Sequence, residues 1–172
     1  MITSKILYEM IQPITSYEII IGGALLPVNF KKGSVLITHI NNSVLSNSNK
    51  NFTKLIDLND DSFIEQYSII QSNYQLDVYK INDNKQGIIE ANQEALQIQE
   101  YLKSLDLQEY LKANNIEILP SYSNITCLSE FNEQKHLINR AFFEFSLISY
   151  ISIKQKVNKI DKIQNNNIIL GG

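Results

Sequence analysis

The segment from residue 142 to residue 154 constrains the fold more than any other, because its side chains follow the two-residue period of a β-strand. Its odd positions carry mostly apolar side chains, namely Phe143, Phe145, Leu147, Ile151 and Ile153. Polar residues such as Glu144 and Ser146 stand between them. Because successive side chains of a strand point to opposite faces of a sheet, we expect the apolar odd positions to face the core of one long strand, bulged near Ser149.

The same strand also carries apolar side chains on its other face, at Phe142, Ile148 and Tyr150. A strand that is apolar on both faces is normally covered on both. An apolar triplet near the C-terminus, Ile168–Leu170, is a second surface that a lone domain has little reason to expose. We therefore take six residues as candidates for contact with another subunit: Phe142, Ile148, Tyr150, Ile168, Ile169 and Leu170.

Apolar periods elsewhere predict the remaining elements. Residues 2–11 and 86–105 repeat apolar side chains every three or four positions, so each range predicts an amphipathic helix. Asp106 and Glu109 resemble a capping box that opens a further short helix through Ala113. Short or alternating apolar runs predict strands at Val35–Ile40, Phe63–Ile81 and Ile116–Leu119.

A chain of 172 residues is long enough to bury its own core as a single domain. The tract from Asn41 to Asn51 is rich in Asn and Ser and predicts an exposed, mobile loop. We expect an α+β domain over residues 1–158, with a mixed or antiparallel sheet flanked by helices. Residues 159–172 lack periodicity before Ile168, so we expect them to form a flexible C-terminal tail.

Charge and cysteine content exclude several classes of protein. A formal net charge of −3 argues against a protein that grips phosphate backbones, since that work needs clustered Lys and Arg. Cys127 is the only cysteine, so it has no disulfide partner within the chain and no second thiol for a metal site. The N-terminus lacks the pattern of a secretory signal, and no apolar run is long enough to cross a bilayer. We expect a soluble, unsecreted protein without membrane contact.

Residue types suited to catalysis or to metal binding occur without the neighbours that such chemistry needs. His39 and His136 stand in no motif for a nucleophile and its base, and Gly22–Gly23 lacks the lysine and hydroxyl of a phosphate loop. The acidic turn Asp57–Asp61 does not follow the ligand spacing of a calcium loop. We predict no enzyme activity, no cofactor and no metal. The competing hypothesis is a small intracellular enzyme with a site assembled from His39, Asp77 and His136.

The order of several segments is more informative than any single motif. These are the strand Tyr74–Tyr79 with Asp77, the helical stripe Ala91, Ala95 and Leu102, the strand Asn115–Leu119, the turn Ser121–Ser123 with Leu128, and the start of the last strand, Arg140–Phe145. In this order the chain resembles the phage neck or tail terminator family. The similarity covers residues 63–156, and the first half agrees in outline through a helix, the stretch Pro27–Asn29 and a strand.

The resemblance implies a structural protein of the virion, assembled in the host cytoplasm, without cofactor or reaction. It implies a homohexameric ring that caps the tail tube, ends tube polymerisation and presents a surface to the head. The partners it implies are further copies of the chain, the tail tube protein, the connector or neck proteins and, in a contractile tail, the sheath, while DNA only passes through the ring. The alternatives are a head completion or connector subunit of the neck and, outside the virion, a host adaptor domain.

Overall fold

The computed structural model describes residues 2–22, 33–45, 52–58, 61–81, 86–131 and 137–157, of which 52–58, 61–67 and 152–157 are described by their backbone. These ranges contain three helices and seven strands. The helices are α1 Ser4–Ile11, α2 Gln86–Tyr101 and α3 Leu105–Ala113. The strands are β1 Glu18–Ile21, β2 Ser34–Val44, β3 Phe52–Leu58, β4 Asp61–Ile81, β5 Ile116–Ile118, β6 Thr126–Phe131 and β7 Leu137–Val157.

The strands form one mixed sheet in the order β1-β2-β4-β7-β5, with β3 also paired to β4 and β6 also paired to β7. The β1–β2 pair is parallel, and the other pairs are antiparallel. The two central strands, β4 and β7, pair without a shift from Ser62 and Val157 to Ile81 and Ile138. The α+β prediction is therefore confirmed.

Side-chain alternation along β7 builds the core as its sequence predicts. Phe143, Phe145 and Leu147 are each at most 1% exposed. They form one cluster with Leu76 and Val78 of β4 and with residues of all three helices, including Ala95 of α2, Met10 of α1 and Leu111 of α3. Burying each large apolar side chain contributes about 1.5–3 kcal/mol, so this layered core stabilises the fold.

One face of the sheet, the inner face, carries the described helices, since α1, α2 and α3 all contribute to that single cluster. We call the opposite face the outer face. It is formed by the odd positions of β4 from Ile69 to Ile81 and the even positions of β7 from Ile138 to Tyr150, because paired residues share a face. Helices of the described residues therefore pack against one side of the sheet only.

Asn115 has a positive φ of 56° and ends α3, as its residue type indicates. The start of α3 differs from the prediction. Ser104, not Asp106, is the N-cap, because its backbone is extended and its hydroxyl accepts a hydrogen bond from the Leu107 amide at 3.3 Å. Asp106 lies instead in the first turn, where its negative charge interacts favourably with the positive end of the helix dipole.

Strand pairing overrides local propensity in the Asn- and Ser-rich tract. The prediction of a loop from Asn41 is wrong for its first residues, since β2 continues to Val44. Asn and Ser are poor strand formers, but here they pair with β4. The side-chain Nδ2 of Asn73 donates a hydrogen bond to Asn41 Oδ1 at 2.6 Å. The expected bulge near Ser149 is absent, whereas a register shift lies in β2 between His39 and Asn41.

Candidate functional site

The three candidate contact residues of β7 all lie on the outer face of the sheet. Phe142 is opposite Asp77, Ile148 is opposite Gln71, and Tyr150 is opposite Ile69 on β4. The other candidates, Ile168, Ile169 and Leu170, lie outside the described residues. The outer face is therefore the surface on which the predicted contacts of β7 can be examined.

A buried ion pair holds one end of this face. The Asp77 side chain is 2% exposed, and its Oδ1 accepts hydrogen bonds from Arg140 Nε at 2.7 Å and from Arg140 Nη2 at 2.6 Å. Gln75 Nε2 donates to both carboxylate oxygens at 3.0 Å. Because a buried carboxylate is tolerated only when it is paired and hydrogen-bonded, these three side chains act as one unit that fixes β4 against β7.

The Arg140 guanidinium also determines the environment of Phe142. Its central carbon lies 4.5 Å from the centroid of the Phe142 ring and 5.8 Å from that of Tyr79. Such cation–π contacts contribute about 0.5–1 kcal/mol where the groups stay partly hydrated. Phe142 is therefore covered by a neighbour on its own strand, and we separate it from the exposed candidates.

A network of uncharged polar side chains occupies the middle of the outer face. Ser146 Oγ donates to Asn73 Oδ1 at 2.6 Å, and Gln71 Nε2 donates to the same oxygen at 2.8 Å. Asn73 in turn donates to Asn41 on the next strand. The network joins β2, β4 and β7 through side chains and stiffens a surface that the backbone ladder already holds.

An apolar patch lies beyond this network, at the end of the outer face away from the Asp77–Arg140 pair. We call it the outer patch and define it as Leu45, Ile69, Ile148 and Tyr150. The Leu45 amide donates to the Ile69 carbonyl oxygen at 3.0 Å, and Ile69 is opposite Tyr150 in the β4–β7 register. Leu45 is 48% exposed and Tyr150 is 41% exposed, while Ile69 and Ile148 are half-buried.

Polar residues border the outer patch. Tyr150 donates its phenolic hydrogen to Glu117 Oε1 of β5 at 3.2 Å, and the Gln71 side chain belongs to the polar network described above. An apolar centre with a polar rim is the usual arrangement of a protein–protein contact surface. Of the sequence-predicted residues, the structure thus brings Ile148 and Tyr150 together and leaves Phe142 apart.

Sequence reasoning missed Leu45 and Ile69. The Asn- and Ser-rich tract places Leu45 in a predicted loop, and Ile69 gains its neighbour Tyr150 only through the β4–β7 register. The available signal was the alternation of β4, in which Ile69 shares parity with the polar residues Gln71 and Asn73 and not with the core residues Leu76 and Val78.

Comparison with known families identifies the family of this chain. The sequence matches the family described as phage neck terminator protein over residues 5–172, which is essentially the whole chain. The chain belongs to this family. No curated protein matches the sequence.

A phage neck protein is a structural component of the virion, and the structure places two residues of the enzyme hypothesis, His39 and Asp77, on opposite faces of the sheet. His39 lies on the inner face, where Nε2 is 2.8 Å from Asn42 Oδ1 and the ring packs edge-on against Tyr74. Asp77 lies on the outer face and is bound by Arg140. The sheet separates the two side chains, so they cannot form the shared site of the enzyme hypothesis, and His136 lies outside the described residues.

Three features of the described residues concern metal, membrane and ligand binding. Among the residues whose side chains are described, no group of three or more His, Cys, Asp or Glu residues could hold a metal ion. Within the same part of the chain, no helix has the length and apolar character needed to span a membrane. A cleft of about 430 Å³ beside α1 is lined by apolar and small polar residues, including Leu7, Ile37 and Ile151. His39 borders it, and its Nε2 lies 2.8 Å from Asn42 Oδ1.

Proposed function

We propose that this neck protein is a tail terminator, whose copies form a closed hexameric ring on the head-proximal end of the tail tube. The ring ends tube polymerisation and provides the surface that joins the tail to the head connector. The observation that carries the proposal is the family match over residues 5–172. The outer patch supplies a surface with the chemistry that such assembly needs.

The outer patch suits contact between subunits because it is apolar, exposed and set in a rigid frame. Leu45 and Tyr150 keep nearly half of their surface accessible, although water disfavours clustered apolar groups. Ring closure follows when identical subunits meet head-to-tail and the rotation per subunit divides a full turn, so one such interface sets the size of the ring. We assign Ile148 and Tyr150 to this interface.

The C-terminal triplet Ile168–Leu170 adds apolar surface that we assign to contact with a neighbouring subunit or with the tube. A segment that orders only on binding loses conformational entropy at that moment, so its contact strengthens assembly only when the partner is present. Ring formation should accordingly be weak in free solution and strong on the end of a tube. The net charge of −3 suits a ring through which DNA passes without tight binding.

The test compares the purified protein with and without its tail tube, by mass photometry and by negative-stain electron microscopy. We expect a concentration-dependent oligomer in free solution and ring-shaped density at tube ends when tubes are added. A protein that stays monomeric in both samples and leaves the tube ends bare would end the terminator proposal.

A pair of lysine substitutions on one strand tests the outer patch itself. Ile148→Lys places a long charged side chain in the patch, opposite Glu117 of β5, and should abolish ring formation. Even a charge that is paired with Glu117 loses its hydration when an apolar contact closes over it. Glu144→Lys places the same side chain on the same face of β7, at an exposed position outside the patch, and should leave assembly intact. Equal assembly of both variants would place the interface elsewhere.

A further inference from the structure

The distal part of the sheet is a three-stranded arm, which we define as β3, residues 61–67 of β4 and residues 150–157 of β7. The register aligns its strands row by row. Phe52 is opposite Tyr67, which is opposite Ser152, and at the other end Asp57 is opposite Ser62, which is opposite Val157. In the arm, β3 and β7 therefore lie at the same level on either side of β4.

Both long edges of this arm lack a strand partner among the described residues. The edge of β7 away from β4 is occupied first by β6, then by the amides of Ser123 and Leu119, and then by β5. The first residue of β5, Ile116, is opposite Ser149, the last β7 residue in this pairing. No described strand continues that pairing from Tyr150 to Val157. On the opposite side, β3 pairs with β4 along one edge, and no described strand pairs with its other edge.

Open edges of this kind are templates for another strand, because each presents a row of backbone N–H and C=O groups. Proteins commonly block such edges with bulges. In β2, whose pairing with β1 ends at Ile37, a register shift lies between His39 and Asn41. The β3–β4 register, by contrast, runs from Phe52 to Leu58 without a shift. The regular edge of β3 is therefore the better acceptor for a strand.

Strand direction decides which edges can meet in a ring. Both β3 and β7 are antiparallel to β4, so they run parallel to each other. Rotation about an axis that follows the arm preserves strand direction and brings β3 of one copy beside β7 of the next. The two edges then meet as a parallel pair, without reversal of either strand.

We propose that β3 of one subunit adds to the open edge of β7, residues 150–157, of the next subunit, so that the arms close into a single β-barrel around the ring axis. This inference rests on the proposed ring and names the contact that closes it. A hexamer would join roughly 18 strands, a number at which β-barrels such as porins leave an aqueous channel. The edge of β7 begins at Tyr150, so the contact is continuous with the outer patch.

Disulfide cross-linking tests this contact in a Cys127→Ser background. Thr53→Cys on β3 is combined in turn with Ile151→Cys, Ile153→Cys or Gln155→Cys on β7. Within one subunit residues 53 and 153 lie on either side of Gln66, so their Cα atoms are about 9.5 Å apart, two strand spacings. A disulfide needs a Cα separation under about 7 Å, so these cysteines can bond only between copies.

On oxidation in the presence of tail tubes, we expect at least one pair to give a ladder of covalent multimers that ends at the size of the ring. The matched control combines Thr53→Cys with Glu130→Cys on β6, an exposed position on another edge strand, and should give no ladder beyond a dimer. Rings seen by microscopy, with all three pairs no better than this control, would overturn the inference and leave the terminator proposal intact. Absence of rings and of tube binding would remove both.

Hydrogen–deuterium exchange of the unmodified protein decides the matter if the cysteine variants fail to fold. The backbone amides of residues 52–58 and 150–157 that face the open edges, about every second one, should exchange at least about tenfold more slowly in the ring than in the free subunit. Paired amides exchange only on local opening. Unchanged exchange in both segments, measured on rings confirmed by microscopy, would refute the pairing.

Discussion

Replacing Phe145 by Ala tests the assignment of the two faces of β7. Phe145 is 1% exposed, and its ring stacks on Tyr74 with a centroid distance of 5.5 Å. Loss of its buried surface removes about 1.5–3 kcal/mol. A residual cavity of about 80 Å³ adds roughly 2 kcal/mol at about 24 cal/mol per Å³. We therefore expect a total loss of about 3 to 5 kcal/mol in the free energy of unfolding.

Phe142→Ala is the matched control, since it removes the same side chain from the opposite face of β7, three positions earlier in the strand. Phe142 is half-buried and packs under Arg140, so its loss should cost about 1 kcal/mol, half or less of the value for full burial. Urea unfolding followed by far-ultraviolet circular dichroism suits the chain, which has no Trp. The slope of the transition should stay constant while its midpoint falls.

The comparison has a clear refuting result. A loss below about 1 kcal/mol for Phe145→Ala, or a larger loss for Phe142→Ala, would show that the faces are assigned backwards, because truncating a Phe in a packed core costs about 3–5 kcal/mol. The outer patch would then belong to the core, and the interface proposed on it would fail as well.

Three further predictions concern the ion pair, the partly buried phenol of Tyr110, and three side chains that we predict to be dispensable. Arg140→Leu should cost about 3 kcal/mol in urea melts, because it leaves the Asp77 carboxylate buried with Gln75 as its remaining described donor, and Asp77→Asn added to it should recover part of the loss. Burial and then the hydrogen bond to Glu9 raise the pKa of Tyr110 to about 12, so its contribution to stability is complete below pH 10.0 and is lost as the pH rises towards 12. Thermal melts over this range should therefore decline less steeply for Tyr110→Phe than for the native chain, and equal slopes would contradict the assignment. Ring formation on tubes, followed by mass photometry, should be unchanged by Cys127→Ser, His39→Gln or His136→Gln. Loss of assembly through any one of these substitutions would show that the replaced side chain has a role.

Residue types and their local spacing were sufficient to predict the elements that contain a strong period. The odd positions of β7 from Asn139 to Ser149 are buried as alternation predicts, and the apolar stripe of α2, with Ala91, Ala95 and Ile98, packs on the sheet. Such periods are local, because backbone geometry alone repeats side-chain direction every two residues in a strand and every 3.6 in a helix. The family resemblance, carried by the order of these same segments, extends over the chain.

The tertiary structure alone decided the elements and sites that depend on partners distant in sequence. The strand β6 is exposed along its whole length and has no apolar period, so only its pairing with β7 makes it a strand. Asn41 to Val44 extend β2 because β4 offers backbone and side-chain partners to them. The Asp77–Arg140 pair joins residues 63 positions apart, which no local pattern can bring together.

The candidate interface divides in the same way. The sequence alone identified Phe142, Ile148 and Tyr150 as apolar residues on one face of a strand, since parity along a single chain segment determines that face. Only the register between β4 and β7, and the continuation of β2 beside them, showed that Tyr150 and Ile148 share a patch with Ile69 and Leu45. Strand register is set by non-local hydrogen bonds and by core packing, and these exist only once the chain has folded.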